Sequence, residues 1–388
     1  MPTKLVKLLK AGLRFLGLAV LFVVTLEICT RIDDMLTWEA PFWGRYDNSL
    51  LYVSDRFGIH GRPNGQFEKW KLNQFGFRGP EISKAKPPGV YRIAVMGASE
   101  PFGQAESPGM EFPAQLQTIL DRSRRGRYQV LNTAVPGMSL PRINEFLGDY
   151  VRQFEPDLLV VYPVAADHLD FRCPEPRKAL PVPRPKKNRP SLRLLRRLRV
   201  VVKRILPTEI ASSLRAYQTR RSLRQYGVQE QWRSPPPERL AAYREHLTSV
   251  VDQARSCGID VLLATHAHRF GETLSAADHN WLIAWRKFYP LAGGDCLIQM
   301  ETEANTIIRR TAKDRGTRLA DVADTISPGN ENFSDFVHFT DLGARIVAEA
   351  IAAKVLEIDG GSSRHASRAG CTHTLGQRMD DSCITAGS

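Results

Sequence analysis

Two short stretches, far apart in the chain, carry the residue types of acyl-transfer chemistry. The first is Gly97-Ala98-Ser99-Glu100-Pro101-Phe102-Gly103, a serine set in a glycine-flanked turn after an apolar run. The second is Asp335-Phe336-Val337-His338-Phe339-Thr340, just ahead of a helical pattern. An Asp and a His three residues apart can face one cleft, the carboxylate fixing the ring's tautomer while the ring takes a proton from a hydroxyl. Ser99 is then the candidate nucleophile, His338 its general base and Asp335 the residue that orients the base. Glycines around the serine keep Cβ atoms away, so that backbone N–H groups can face a developing oxyanion.

Such residues need a scaffold, and the hydrophobic pattern supplies one. Short apolar runs at residues 91–96, 128–131, 157–162, 259–265 and, more weakly, 318–322 predict five strands. Helical spacing falls between or after them at 112–120, 143–154, 238–256 and 342–356. The alternation predicts an α/β fold: a three-layer α/β/α arrangement with a five-stranded, mostly parallel, flavodoxin-like sheet.

Ligands of open α/β sheets bind outside the carboxyl ends of the strands. The first strand delivers Ser99 there, and the second delivers the stretch from Asn132 to Gly137. The third delivers Asp167 and His168, and the fourth Thr265, His266 and His268. Asp167, His168 and His266 are candidate substrate contacts. His266 and His268 could also ligate a metal, but no third ligand has a supporting spacing. No metal or cofactor is expected. Asp278 and His279 read as surface residues, and Asn305 and Arg309 as structural ones.

Location is written at the N-terminus. Lys4, Lys7, Lys10 and Arg14 precede an apolar run over residues 15–26, which Glu27 closes. A bilayer span takes roughly 20 residues, and residues 8–28 reach that length if Lys10 and Arg14 snorkel to the headgroups. A basic flank stays in the cytoplasm. The expectation is a single-pass anchor in the inner (cytoplasmic) membrane, with the rest exported to the periplasm or the cell exterior. Leu26-Glu27-Ile28-Cys29 lacks the small residues that cleavage of a signal peptide or lipoprotein needs. The domain plan is therefore a cytoplasmic tip and anchor over 1–31, an irregular lead-in over 32–89 whose aromatics pack on the main domain, and a catalytic domain over 90–357. A tail over 358–388 is expected to be disordered. Among six cysteines there is no CxxC pair, and free thiols are expected.

The net charge of +13 is concentrated in one place. Residues 172–233 hold 18 Lys/Arg against three Asp/Glu, so the remainder is near neutral. This basic insertion, a Pro-rich coil followed by an Arg-rich helix, falls between strands three and four, where it would cover the sheet's carboxyl edge. Expected export argues against nucleic acid as its partner. Anionic lipid headgroups, an acidic polysaccharide, or no ligand at all remain as readings.

The order and placement of these motifs resemble the SGNH hydrolases, also called GDSL-like lipases or esterases. GASEPFG matches the block that carries the nucleophile, at Ser99. NTAVPG matches the block that offers a glycine N–H, at Gly137. DFVHFT matches the closing DxxH block, at Asp335 and His338, and DLGARIVAEAIA is like the family's last helix. NQFGFRGPE is similar to a segment that precedes the domain in bacterial membrane-anchored members. The resemblance spans about residues 70–357. It implies an oxyanion hole built from the N–H groups of Ser99 and Gly137, and an ester-bearing substrate such as an acylated, for instance acetylated, glycan. The third block departs: Val164-Ala165-Ala166-Asp167 stands where the family has GxND, so Ala166 replaces the oxyanion Asn. Loss of one such donor costs about 10²–10³ in rate in a well-studied protease. Two functions are therefore expected to compete: a cell-envelope esterase or acyltransferase, and a non-catalytic glycan-binding or scaffold module. A third reading, a membrane-surface protein driven by the basic insertion, is open as well.

Overall fold

The computed structural model describes residues 2–44, 46–169, 192–225 and 227–361. Helix α1, Pro2–Trp38, opens the chain, and from Lys10 onward it is long and apolar enough to cross a membrane. Phe15, Leu18, Leu21 and Phe22 are exposed along it, which separates α1 from the core helix of a soluble domain. The lead-in is less irregular than its sequence suggests. It holds two antiparallel hairpins, β1 (Tyr52–Asp55) with β2 (Gly58–Gly61), and β3 (Gln66–Phe67) with β4 (Trp70–Lys71). Strands of two to four residues are too short to show a period of two. Farther on, Phe75 and Phe77 each meet Phe154 of the main body edge-on at 4.9 Å.

The five expected strands form one sheet: β5 (Tyr91–Gly97), β6 (Tyr128–Asn132), β7 (Leu158–Tyr162), β8 (Asp260–Ala264) and β9 (Arg318–Ala320). Their order is β6-β5-β7-β8-β9, and every neighbouring pair is parallel. Alternation along each strand feeds two cores. Ile93, Val95, Leu158 and Val160 face α3 (Phe112–Ser123) and α11 (Asp341–Gly361). Ala94, Met96, Leu159 and Val161 face α4 (Leu140–Asp149), α7 (Pro237–Ser256) and α9 (Gly294–Arg315). The expected helix over 143–154 divides at Tyr150 into α4 and a 3₁₀ turn, Val151–Phe154. The last helix runs on to Gly361, past the expected domain edge; most of the tail lies outside the described residues.

From the basic insertion come α5 (Arg193–Ile205) and α6 (Thr208–Gln225), separated by Pro207. Its Pro-rich part, 173–190, lies outside the described residues. α6 packs on α8 (Ala276–Trp285), a helix with no clear signal in the sequence. The expectation of free thiols fails at Cys257, which is disulfide-bonded, its partner lying outside the described residues. Cys29 and Cys296 are free.

One buried cation ties the lead-in to the amino end of the sheet. Arg92 on β5 is fully buried, and its guanidinium donates to the carbonyls of Lys84 (2.9 Å), Phe154 (2.6 Å) and Ser83 (3.0 Å) and to Gln129 Oε1 (2.7 Å). Arg92→Leu would leave these acceptors unpaired in the interior. The expected loss is about 3 kcal/mol, read as a lower urea midpoint at unchanged slope.

Candidate active site

The turn that carries Ser99 is built by backbone crowding. β5 ends at Gly97, where a Cβ would lie 2.6 Å from the Tyr162 carbonyl oxygen on β7 and 2.7 Å from Pro101 Cγ. Without one, the chain can turn sharply into α2 (Ser99–Phe102), a single helical turn that Ser99 opens. Its N–H therefore has no acceptor within the helix. Gly103 closes the turn with φ +81°, donating to the Ser99 and Glu100 carbonyls at 3.1 and 3.0 Å. Arg78 braces it from outside: it forms a buried pair with Glu111 at 2.9 Å and donates to the Phe102 and Gly103 carbonyls.

The segment after β6 runs beside this turn. Thr133 N–H donates to Val95 O at 3.0 Å, Val135 N–H to Gly97 O at 3.2 Å, and Asn132 Nδ2 to Pro101 O at 2.8 Å. Gly137 follows two residues later, exposed and with φ +78°.

The Asp335–His338 loop is held by its own backbone and by Arg269. Asp335 Oδ1 accepts from the N–H groups of Val337 (3.1 Å) and His338 (3.0 Å). Arg269 N–H donates to Phe336 O at 3.1 Å, and Phe336 stacks on Trp285 at 5.4 Å. Thus fixed, His338 places Nδ1 2.9 Å from both Asp335 carboxylate oxygens and Nε2 2.9 Å from Ser99 Oγ. The three residues meet in one continuous hydrogen-bonded row.

A second row lies behind it. Ser99 Oγ is also 3.2 Å from Glu100 Oε2, while Glu100 Oε1 lies 3.2 Å from His266 Nε2. On the far side, His266 Nδ1 is 2.8 Å from Glu301 Oε2 of α9. All three side chains of this second row are buried. Burial alone would favour a neutral His266 ring, but Glu301 and Glu100 outweigh it and raise its pKa to about 10. The same contest operates at His338: burial pulls its pKa down, yet Asp335, Glu100 and Glu106 together raise it to about 9. Burial opposes ionisation of Asp335, but His338 and the two backbone N–H groups lower its pKa to about 2. Burial raises Glu106 to about 7.

The other expected site residues lie elsewhere. His266, a candidate substrate contact, is fully enclosed, with Nε2 hydrogen-bonded to Glu100 and Nδ1 at ion-pair distance from Glu301, so it buttresses the turn from the interior. Its backbone is pinned by Asn305, which accepts from His266 N–H and donates to its carbonyl, both at 2.8 Å. Arg309 binds Asp321 and Asp324. Asp167 accepts from the Tyr289 hydroxyl at 2.6 Å. His168 pairs with His246 at 3.0 Å, and burial beside His246 and Arg239 lowers its pKa to about 3. Asp278 completes the capping box of α8 and pairs with Arg269. Ala166 begins the 3₁₀ turn Ala166–Leu169, fully buried, a methyl group in place of an amide.

No family model matches the chain, and no curated protein does. Solved structures are similar to it at a distance. A lipase/acylhydrolase from Enterococcus faecalis is 14% identical, the match covering 71% of this chain and 100% of that one at a TM-score of 0.41. For an acetylxylan esterase from Geobacillus stearothermophilus the values are 12%, 69%, 95% and 0.40. For an α/β hydrolase enzyme from the metagenome of Lake Arreo, Spain, they are 13%, 68%, 94% and 0.39. At such identities no residue role transfers, and the site is read from its own atoms.

Four of its residues escaped the sequence reading. Glu100 was visible beside Ser99 but went unassigned. Glu301 could have been found as an acid on the apolar face of α9, among Leu297, Met300 and Ala304. Glu106 and Arg215 gave no such sign, although Arg215 reaches from α6 to within 4.0 Å of Asp335 while stacking over Trp281. The raised pKa of His338 sets a pH dependence. Below about 9 the ring holds a proton and cannot accept one from Ser99, so reaction of Ser99 with an acylating probe should rise with pH through that value. Glu100→Gln removes a negative charge that favours the imidazolium, so the midpoint should move to lower pH in the variant's pH–rate profile.

Proposed function

We propose that the chain is a serine esterase or acyltransferase of the SGNH (GDSL-like) type. The observation that carries the reading is the unbroken row Ser99–His338–Asp335, 2.9 Å at each link. Ser99 Oγ attacks the ester carbonyl as His338 Nε2 takes its proton, and Asp335 stabilises the imidazolium. Backbone N–H groups of Ser99 and Gly137 receive the oxyanion. Collapse of the tetrahedral adduct breaks the ester C–O bond, and His338 returns the proton to the leaving alcohol. Water or a sugar hydroxyl then attacks the acyl-enzyme, with His338 again as base.

The motif resemblance points to an acylated, for instance acetylated, glycan as substrate. A place in the cell envelope is supported by α1 and by the disulfide at Cys257, since disulfides persist in oxidising compartments. Ala166 favours a second reading, in which an SGNH-like module binds a glycan or scaffolds a complex without turnover. A fluorophosphonate probe separates the two. The enzyme reading expects covalent labelling that Ser99→Ala abolishes and Asp335→Asn slows by about 10³–10⁴-fold. Folded wild-type protein that stays unlabelled across the pH range would leave the binding module.

A further inference from the structure

We infer that α5 is a membrane-surface helix, seated in the lipid bilayer beside the outer end of α1. The inference rests on α1 being a membrane span. Residues of α5 divide into two faces at helical spacing. Leu194, Leu195, Leu198, Val201, Val202 and Ile205 share one side of the helix, while Arg193, Arg196 and Arg197 lie on the other together with Val200. The division is the reverse of a soluble surface helix. Three of its arginines turn inward while Arg199 is exposed: Arg193, Arg196 and Arg197 converge on Asp34 of α1, which is buried, and Arg197 also pairs with Asp33. Its apolar side turns outward, with Leu195, Leu198, Val201 and Val202 about half exposed and Ile205 74% exposed.

The level of α5 on α1 identifies what covers that side. The first N–H groups of α5, those of Arg193 and Leu194, donate to the Glu27 carboxylate at 3.1 and 2.9 Å. Glu27 is the residue that ends the apolar run of α1, so α5 leaves the span where hydrocarbon gives way to headgroups. Trp43, 76% exposed and under Arg31 at the same end, is of the residue type that favours this boundary. An amphipathic helix continuous with a span, apolar side outward, buries that side in the headgroup–acyl boundary. The occupant is therefore lipid.

The test uses the full chain in phosphatidylcholine vesicles whose acyl chains are brominated near the headgroup. An environment-sensitive fluorescent amino acid is placed at Val202, at Leu18 in α1, or at the exposed Glu349 of α11. Bromine quenching at Val202 that matches Leu18, and is at least about fivefold that at Glu349, is the expected result. Quenching at Leu18 but not at Val202 would overturn the inference while leaving the anchor intact, whatever protein surface then covers α5. No quenching at either position would remove the anchor reading and this inference with it.

Discussion

A charge inside a protein persists only when it is matched, and that constraint organises the carboxyl edge of this sheet. His266 is the fixed point. Held between Glu301 and Glu100, its ring stays cationic, and Glu100 is thereby oriented with one oxygen on His266 and the other towards Ser99. The serine hydroxyl thus sits between a base and a carboxylate. With His338 protonated, its Nε2–H points at Ser99 Oγ, whose own proton can go to Glu100. With His338 neutral, the hydroxyl can donate to Nε2, the arrangement that the proposed attack requires. The carboxylates of Asp335, Glu100 and Glu106 together favour the imidazolium of His338. This balance resists loss of the His338 proton. In the proposed reaction the same balance would favour the transition state, in which His338 has become an imidazolium.

What the sequence could reveal follows from how local each signal is. β5, β7 and β8 are short, nearly continuous apolar runs, and buried parallel strands must be so on both faces. Ser99, Asp335 and His338 were legible because each lies at an element's end beside residues of special backbone role, Gly97 and Gly103 for the first and Thr340 for the others. Thr340 Oγ1 accepts from Gly343 N–H at 3.1 Å and so caps α11. His266 reads from sequence as a substrate contact because it follows β8 at the sheet's carboxyl edge, whereas its partners are Glu100 and Glu301, remote in sequence. The hairpins β1–β2 and β3–β4 rest on close backbone approaches: a Cβ on Gly61 would stand 1.9 Å from the Gly76 carbonyl oxygen. No periodicity encodes such a contact. Cys257 shows the same limit, since pairing between distant cysteines has no local mark.

Composition leaves the basic insertion open to anionic lipid, an acidic polysaccharide or no ligand at all, and part of its charge is consumed within the chain. Arg196 pairs with Glu68 of the lead-in at 3.0 Å as well as with Asp34, and Arg193 and Arg196 both stack over Tyr46. These contacts join α1, the lead-in and α5 into one bracket. Across Pro207 the bracket continues as α6, which packs on α8 and brings Arg215 to Asp335. An unbroken set of packed elements therefore links α1 to the Asp335 carboxylate. Net charge alone could not reveal this, because it counts a guanidinium equally whether it faces water or an aspartate two elements away.

That bracket also constrains how α5 can be solvated. Turning its arginines to water would strand Asp34, a buried carboxylate whose partners they are, and an uncompensated buried charge is strongly destabilising. Turning its leucines and valines inward would place them against Asp33, Asp34 and Glu68. Neither rotation is open to the helix once Glu27 has captured its first N–H groups. The apolar side therefore faces outward, the side that the inferred membrane seat would bury.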